Sequence, residues 1–283
     1  MTGVLLSLIP LFAWGISDFS ASKLSKLHPV VINLTFSMVS LVHTSVVVLI
    51  FGLPDVSVEI LLPHLAASTI LSIAFILFVR AYSTGAVGVV TPIGNSYAVV
   101  TALVSAAFLG VVIAPVGWFA MFVVVAGIGL LTYKKDGKRS HTDFKNSVIL
   151  SLLAMTLFGV GFTFFGIAST QNWHNDFVLY QVVNAPVSAV LYMLLVKKRR
   201  LENIKQVLKS RWSYVGFSIG VLGTIGTFAA IDVTGDATTP AIVSAASPLV
   251  TAYLAFFFDK EHLSAMQRAG AVVIVAGIML LSL

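Results

Sequence analysis

Apolar stretches of about 20 residues, the length a helix needs to cross the hydrocarbon core of a bilayer, follow one another along this chain with only short polar breaks. They lie near 3–21, 29–51, 61–82, 85–109, 113–133, 147–169, 175–197, 212–232, 235–258 and 264–282. Only 10% of the residues are charged and 58% are hydrophobic, whereas water-soluble domains run near a quarter charged. Lipid must therefore be the solvent for most of the surface. In lipid, backbone polar groups have to be satisfied within a helix or a closed barrel. The alternating ten-residue stretches of a barrel do not occur, so the expectation is an all-α membrane protein of ten transmembrane helices. The first segment has no basic flank and no small-residue cleavage site, and reads as a membrane helix rather than a removed signal peptide. With no cysteine, disulfides, thiolate metal sites and cysteine nucleophiles are excluded.

Charge sets the orientation. All 17 Lys and Arg fall in or beside the odd-numbered connections, densest from Lys134 to Lys145 and from Lys197 to Arg211, where a short surface helix is possible. The even-numbered connections carry only acids: Asp55, Glu59, Asp176, Asp232 and Asp236. By the positive-inside rule the odd connections are cytoplasmic and both termini are non-cytoplasmic, in a multi-pass protein of the cell's inner (plasma) membrane. The formal charge of +6 is spread over short loops with no basic helix or aromatic-basic face, so no nucleic-acid partner is expected.

The two halves resemble each other. Sliding by 150 residues lays Gly85 on Gly235, Thr101-Ala102 on Thr251-Ala252, and Val125-Ala126-Gly127-Ile128 on Val275-Ala276-Gly277-Ile278. Near the start of each half, at a separate offset of 144 residues (151 − 7), Ser7-Leu8 matches Ser151-Leu152, and Trp14-Gly15 falls on Phe158-Gly159. This predicts a first five-helix repeat over 1–133, a basic cytoplasmic linker over 134–145 and a second repeat over 146–283. Five is odd, so the second repeat enters the membrane inverted relative to the first. Inverted repeats enclosing a shared midplane site are the architecture of many secondary transporters.

Trp14-Gly15, Arg80-Ala81-Tyr82, Ala245-Ala246-Ser247-Pro248-Leu249-Val250 and Phe258-Asp259-Lys260-Glu261-His262-Leu263, followed by Gln267, Gly270 and Gly277, carry a family resemblance. In this order and spacing the chain resembles the EamA-type, ten-helix branch of the drug/metabolite transporter superfamily over essentially its full length. The first half departs from that pattern, with Val111 where the second half has Glu261 and Ala98 where it has Pro248. The resemblance implies a central cavity between two inverted five-helix repeats, and export or exchange of amino acids, related metabolites or drugs.

Candidate site residues follow from what a membrane interior penalises. Ionisable groups there cost about 2.5–3.5 kcal/mol on insertion scales, so Asp18 and Arg80, both near the cytoplasmic ends of their helices, each need a reason. A gating pair between them is one; separate snorkelling to the interface is the other. Asp18 left unpaired would instead be a candidate to couple transport to a proton or cation. Asp232 reads either as such a coupling group or, with Asp236, as a turn and helix cap. Thr91-Pro92-Ile93-Gly94-Asn95-Ser96-Tyr97 and the repeat-related Ala241 to Pro248 carry small, polar and helix-interrupting residues in matching places, the best pointer to a substrate site. Thr91, Asn95, Ser244 and Ser247 are its candidates, against close packing through small residues. In the resembled family, Trp14, Phe75, Phe158 and Phe162 would lie on cavity-lining helices and suit a flat or apolar substrate, or a cation. Tyr180, Gln181 and Asn184 read as interhelical hydrogen-bonding residues or substrate contacts, and His43 and His64 as packing residues. The glycine-rich Gly216–Gly226 stretch lacks the ending of a phosphate loop and reads as a close-contact surface.

No motif calls for a cofactor or a metal, and no catalytic constellation is present, so the chain is not expected to be an enzyme. The expected function is secondary active export of a small metabolite such as an amino acid by alternating access, with the lipid bilayer and a small-molecule substrate as partners. Sugar or nucleoside uptake, and a non-transporting membrane scaffold, are the alternatives.

Overall fold

The computed structural model describes residues 2–133, 141–196, 201–260 and 263–280. The start of the basic linker at 134–140, the basic cluster at 197–200 and the Glu261-His262 pair lie outside the described residues. Among the described residues there are thirteen α-helices and no strand: α1 Thr2–Leu24, α2 Pro29–Phe51, α3 Val58–Tyr82, α4 Val87–Gly94, α5 Tyr97–Leu109, α6 Pro115–Tyr133, α7 His141–Ala168, α8 Trp173–Leu195, α9 Leu201–Leu208, α10 Arg211–Thr234, α11 Thr238–Ser244, α12 Pro248–Asp259 and α13 Ala265–Leu280. Eight spans are long and apolar enough to cross a membrane, α4 with α5 and α11 with α12 each counting as one. Two shorter apolar helices, Pro115–Leu130 and Ala265–Leu280, accompany them. The protein is a multi-pass membrane protein.

The helix ends have local causes. Pro29 opens α2 where its missing N–H costs nothing, and the Ser57 hydroxyl accepts from the Ile60 amide at the start of α3. Gly235, at φ 76°, closes α10 in a left-handed conformation that glycine adopts without a side-chain penalty. Asp236 then accepts from the amides of Thr238 (2.6 Å) and Thr239 (3.1 Å), which fixes the start of α11. The short helix expected between Lys197 and Arg211 is α9, which buries Val207 against the bundle.

Lipid offers no hydrophobic drive for helix pairing, so close backbone approach through small residues has to supply the contacts. α1 lies in the groove that Gly216, Gly220, Gly223 and Gly226 open along α10, meeting them with Ser20, Ser17, Trp14 and Ile9. α3 packs on α7, α2 on α8 and α6 on α13, while α11 and α12 cover α1, and α4 and α5 cover α7. Equivalent contacts recur with their roles exchanged. A methyl group on Gly15 would meet Val250 Cβ at 2.5 Å and the Ser247 carbonyl at 2.8 Å; one on Gly159 would meet Val100 Cγ1 at 2.7 Å and the Tyr97 carbonyl at 2.8 Å. The Thr251 hydroxyl donates to the Gly15 carbonyl (2.9 Å), and the Thr101 hydroxyl to the Gly159 carbonyl (3.2 Å).

Two spans are interrupted. The fourth breaks between α4 and α5 at Asn95 and Ser96; the other breaks between α11 and α12 at Ala245 to Ser247, in register with the first under the 150-residue repeat. Proline accompanies both: Pro92 removes a donor within α4, and Pro248 opens α12 at a position whose N–H has no helical partner to lose. Side chains re-satisfy the loosened backbone: Ser96 donates to the Pro92 carbonyl (2.7 Å), Asn95 to the Thr91 carbonyl (3.2 Å) and Ser244 to the Pro240 carbonyl (2.6 Å). Non-helical backbone at membrane depth is tolerated only where protein or a cavity meets it.

Candidate functional site

The break at Asn95 borders a cavity of about 120 Å³ in the middle of the bundle. α1 contributes Trp14, Ser17 and Asp18, α2 Asn33 and Phe36, and α3 Leu71, Ser72, Phe75 and Phe78. Asn95 and Tyr97 come from the break and the first turn of α5, Phe158, Phe162 and Phe165 from α7, Tyr180 and Asn184 from α8, and Thr224 from α10. Seven helices therefore converge on this space.

Its walls divide by chemistry. One side is a run of rings: Trp14 meets Phe162 edge-on at 5.4 Å, Tyr97 stacks on Phe162 at 4.6 Å, and Phe165 packs on Tyr180 and Phe228 at 5.0 and 4.7 Å. Phe36 joins Phe75 and Phe217 at 5.7 and 5.3 Å toward the other end. Between them runs a hydrogen-bonded polar wall. Asn184 accepts from Ser72 (3.0 Å) and donates to Ser37 (3.0 Å), Ser37 bonds Ser188 (2.7 Å), and Asn33 donates to Ser188 (2.9 Å). These residues recur at three- and four-residue spacings, Asn33, Ser37, Ser40 and Thr44 on α2 against Gln181, Asn184 and Ser188 on α8, so each set forms one helix face.

Asp18 is the charged residue of the lining. It is 9% exposed, and its Oδ2 accepts from Asn95 Nδ2 at 2.9 Å. Oδ1 has no donor among the described residues. Among the described residues, no Lys, Arg or His lines the cavity.

Of the residues expected from the sequence, Trp14, Asp18, Phe75, Asn95, Phe158 and Phe162 are brought together here. Thr91 stands one turn behind Asn95 with its hydroxyl on that of Tyr82 (2.9 Å), and Ser244 supports the wall from outside through the Tyr97 hydroxyl (2.8 Å). Ser247 lies under Gly15, its hydroxyl buried with no partner. Arg80 is exposed and does not meet Asp18, whose partner is Asn95. Asp232 is away from the cavity and accepts from the Trp173 amide at 3.4 Å, which ties α10 to the start of α8. His43 and His64 each place Nδ1 on a carbonyl one turn back; His64 Nε2 is buried and unpartnered. Asn33, Phe36, Ser72, Phe78, Phe165 and Thr224 were not singled out in the sequence, although the α2 polar stripe was a readable signal for Asn33.

Comparison with known proteins agrees with this architecture. A protein of Methanocaldococcus jannaschii described only as uncharacterized is 28% identical over 137 residues, which span 48% of this chain and 96% of that protein. A solved crystal structure shares the fold, with a TM-score of 0.67 and 15% identity over 99% of this chain and 96% of that one. The family model for EamA-like transporters matches residues 1–133 and 145–283. The chain belongs to the EamA-like transporter family, within the drug/metabolite transporter superfamily.

Proposed function

We propose that this chain is a secondary active transporter that exports a small metabolite, such as an amino acid or related compound, by alternating access at the central cavity. In this reading ten helices cross the inner membrane as two inverted five-helix repeats, 1–133 and 146–283, joined by the basic segment 134–145. The odd connections and the linker are cytoplasmic and both termini are not. Asp18 is the coupling candidate, and Trp14, Phe75, Asn95, Phe158 and Phe162 are the substrate contacts, with Thr91, Ser244 and Ser247 in the supporting layer.

The observation that carries this reading is the pair of matched helix breaks, one of which borders the cavity. Interrupted helices in corresponding places of two repeats are where secondary transporters hold substrate. Three further observations support it. The contacts of Gly15 and Gly159 exchange between halves as two-fold-related surfaces do. The family model matches each half of the chain. A relative of about half the length matches half the chain, as expected if one repeat can exist as a separate protein.

Counterflow in proteoliposomes tests the proposal. Saturable exchange of at least one compound from a panel of amino acids, amines, sugars and nucleosides is expected; no flux across the whole panel overturns it. Reporter fusions that place a terminus or an even connection in the cytoplasm would overturn the topology.

A further inference from the structure

We infer that the cavity selects small organic cations, bearing an ammonium or a comparable cationic group on a compact apolar body, over zwitterions and acids. The inference rests on the transporter reading above and narrows its substrate class.

Asp18 sets the sign. A carboxylate withdrawn from water needs compensation by a counter-charge and by hydrogen bonds to its oxygens. Among the described residues the protein supplies one donor, the Asn95 amide on Oδ2, and no cation in the lining. Basic groups on neighbouring helices are engaged or directed elsewhere. The Lys23 ammonium pairs with Asp259 and lies over the rings of Phe19 (4.6 Å) and Trp212 (5.9 Å), and Arg80 faces outward. A cation entering the cavity would supply the counter-charge that Asp18 lacks among the described residues.

The other walls suit the same ligand. Faces of Trp, Tyr and Phe attract cations through their ring quadrupoles, and Trp14, Phe75, Tyr97, Phe162 and Tyr180 surround the space beside the carboxylate. A zwitterion would bring a second carboxylate into a cavity that already holds one, with no cationic side chain among the described residues of the lining to receive it. The polar wall does not change this balance. The Asn184 amide and the hydroxyls of Ser72 and Ser37 are already bonded to one another, so an added carboxylate would have to break those bonds.

Calorimetric binding to the purified full chain tests the class with two matched pairs, isoamylamine against leucine and choline against glycine betaine. Within each pair the zwitterion carries a carboxylate that the cation lacks. The expected result is at least about tenfold tighter binding of the cation in one pair or both, lost in Asp18→Asn and kept in Asp18→Glu, with thermal unfolding confirming that both variants are folded. Equal or tighter binding of the zwitterions overturns the class. So does cation affinity unchanged by Asp18→Asn, and so does failure of all four ligands to bind while an amino acid, sugar or nucleoside undergoes counterflow. In each of these results the transporter reading stands as long as counterflow of some compound is seen. Absence of flux across the whole panel overturns that reading, and this inference with it.

Discussion

Asn95 donates to Asp18 across 2.9 Å, and this one bond ties the break in the fourth span to the C-terminal part of α1. It also fixes which carboxylate oxygen remains for a ligand. A hydrogen bond to a charged group is worth about 1.5–3 kcal/mol, and every 1.4 kcal/mol is about tenfold in affinity. Asn95→Leu, close in volume, should therefore weaken ligand binding at the cavity by about ten- to a hundredfold while the bundle stays folded. Calorimetry on the purified variant checks this, and unchanged affinity would show that Asn95 does not position the carboxylate.

The close contacts at Gly15 and Gly159 make a paired prediction. An added methyl group meets both a β-branched side chain and a carbonyl oxygen in each case, and neither neighbour can swing aside as the end of a flexible chain could. Overpacking of this kind costs typically 1–3 kcal/mol. Gly15→Ala and Gly159→Ala should each lower the thermal midpoint in detergent, and by similar amounts. Gly129→Ala, with nothing within 4 Å of the new carbon, should not. Val250→Ala should restore part of the loss in Gly15→Ala and none of it in Gly159→Ala, a double-mutant cycle that isolates the contact.

What could be read in advance follows the physics of the solvent. Apolar length decides where a membrane helix runs, and the segments expected at 29–51 and 61–82 are helical at Pro29–Phe51 and Val58–Tyr82. Proline, glycine and polar residues mark where a helix loses its ladder, so the breaks at Asn95 and Ala245 were visible as composition. Pairing was harder to read. Asp18 and Arg80 both sit near the same ends of their helices, which made an ion pair conceivable. Rotation about the helix axis decides the outcome, and it turns Arg80 outward and Asp18 toward Asn95. Ser244 was expected in the lining for the same reason that Asn95 was. Tyr97 lines the cavity instead, and Ser244 bonds its hydroxyl from behind, because a matched break in one half need not present its polar groups to the cavity as the other does.

The polar seam between α2 and α8 contains one residue that should be dispensable. Gln181 is 1% exposed, and neither atom of its amide has a partner, whereas Asn184 one turn away holds Ser72 and Ser37 together. A buried amide without partners carries a desolvation penalty of about 1–3 kcal/mol. Gln181→Leu should leave stability unchanged or raise it, while Asn184→Leu should lower it by orphaning the Ser72 hydroxyl and removing one of the two partners of Ser37. Unfolding of the two variants in mixed micelles separates the cases. A marked loss in Gln181→Leu would mean that its amide is satisfied by an ordered water that the substitution expels.

Thr101 and Thr251 offer the sharpest test of the relation between the halves. Each shares its hydroxyl proton between the carbonyl of the glycine facing it, Gly159 at 3.2 Å and Gly15 at 2.9 Å, and the carbonyl one turn back on its own helix, Tyr97 at 3.1 Å and Ser247 at 3.4 Å. Valine has the same shape without the donor, and interhelical hydrogen bonds in membranes average about 0.6 kcal/mol and reach about 1.7. Thr101→Val and Thr251→Val should therefore each cost a similar, small amount of stability. The double variant should cost the sum, since the two bonds share no partner and distant contacts add. Equivalent surfaces exchanged by a two-fold axis predict equal losses. If one substitution were silent and the other severe, the two contacts would be alike in geometry only, and the symmetry would not extend to the energetics that alternating access requires of them.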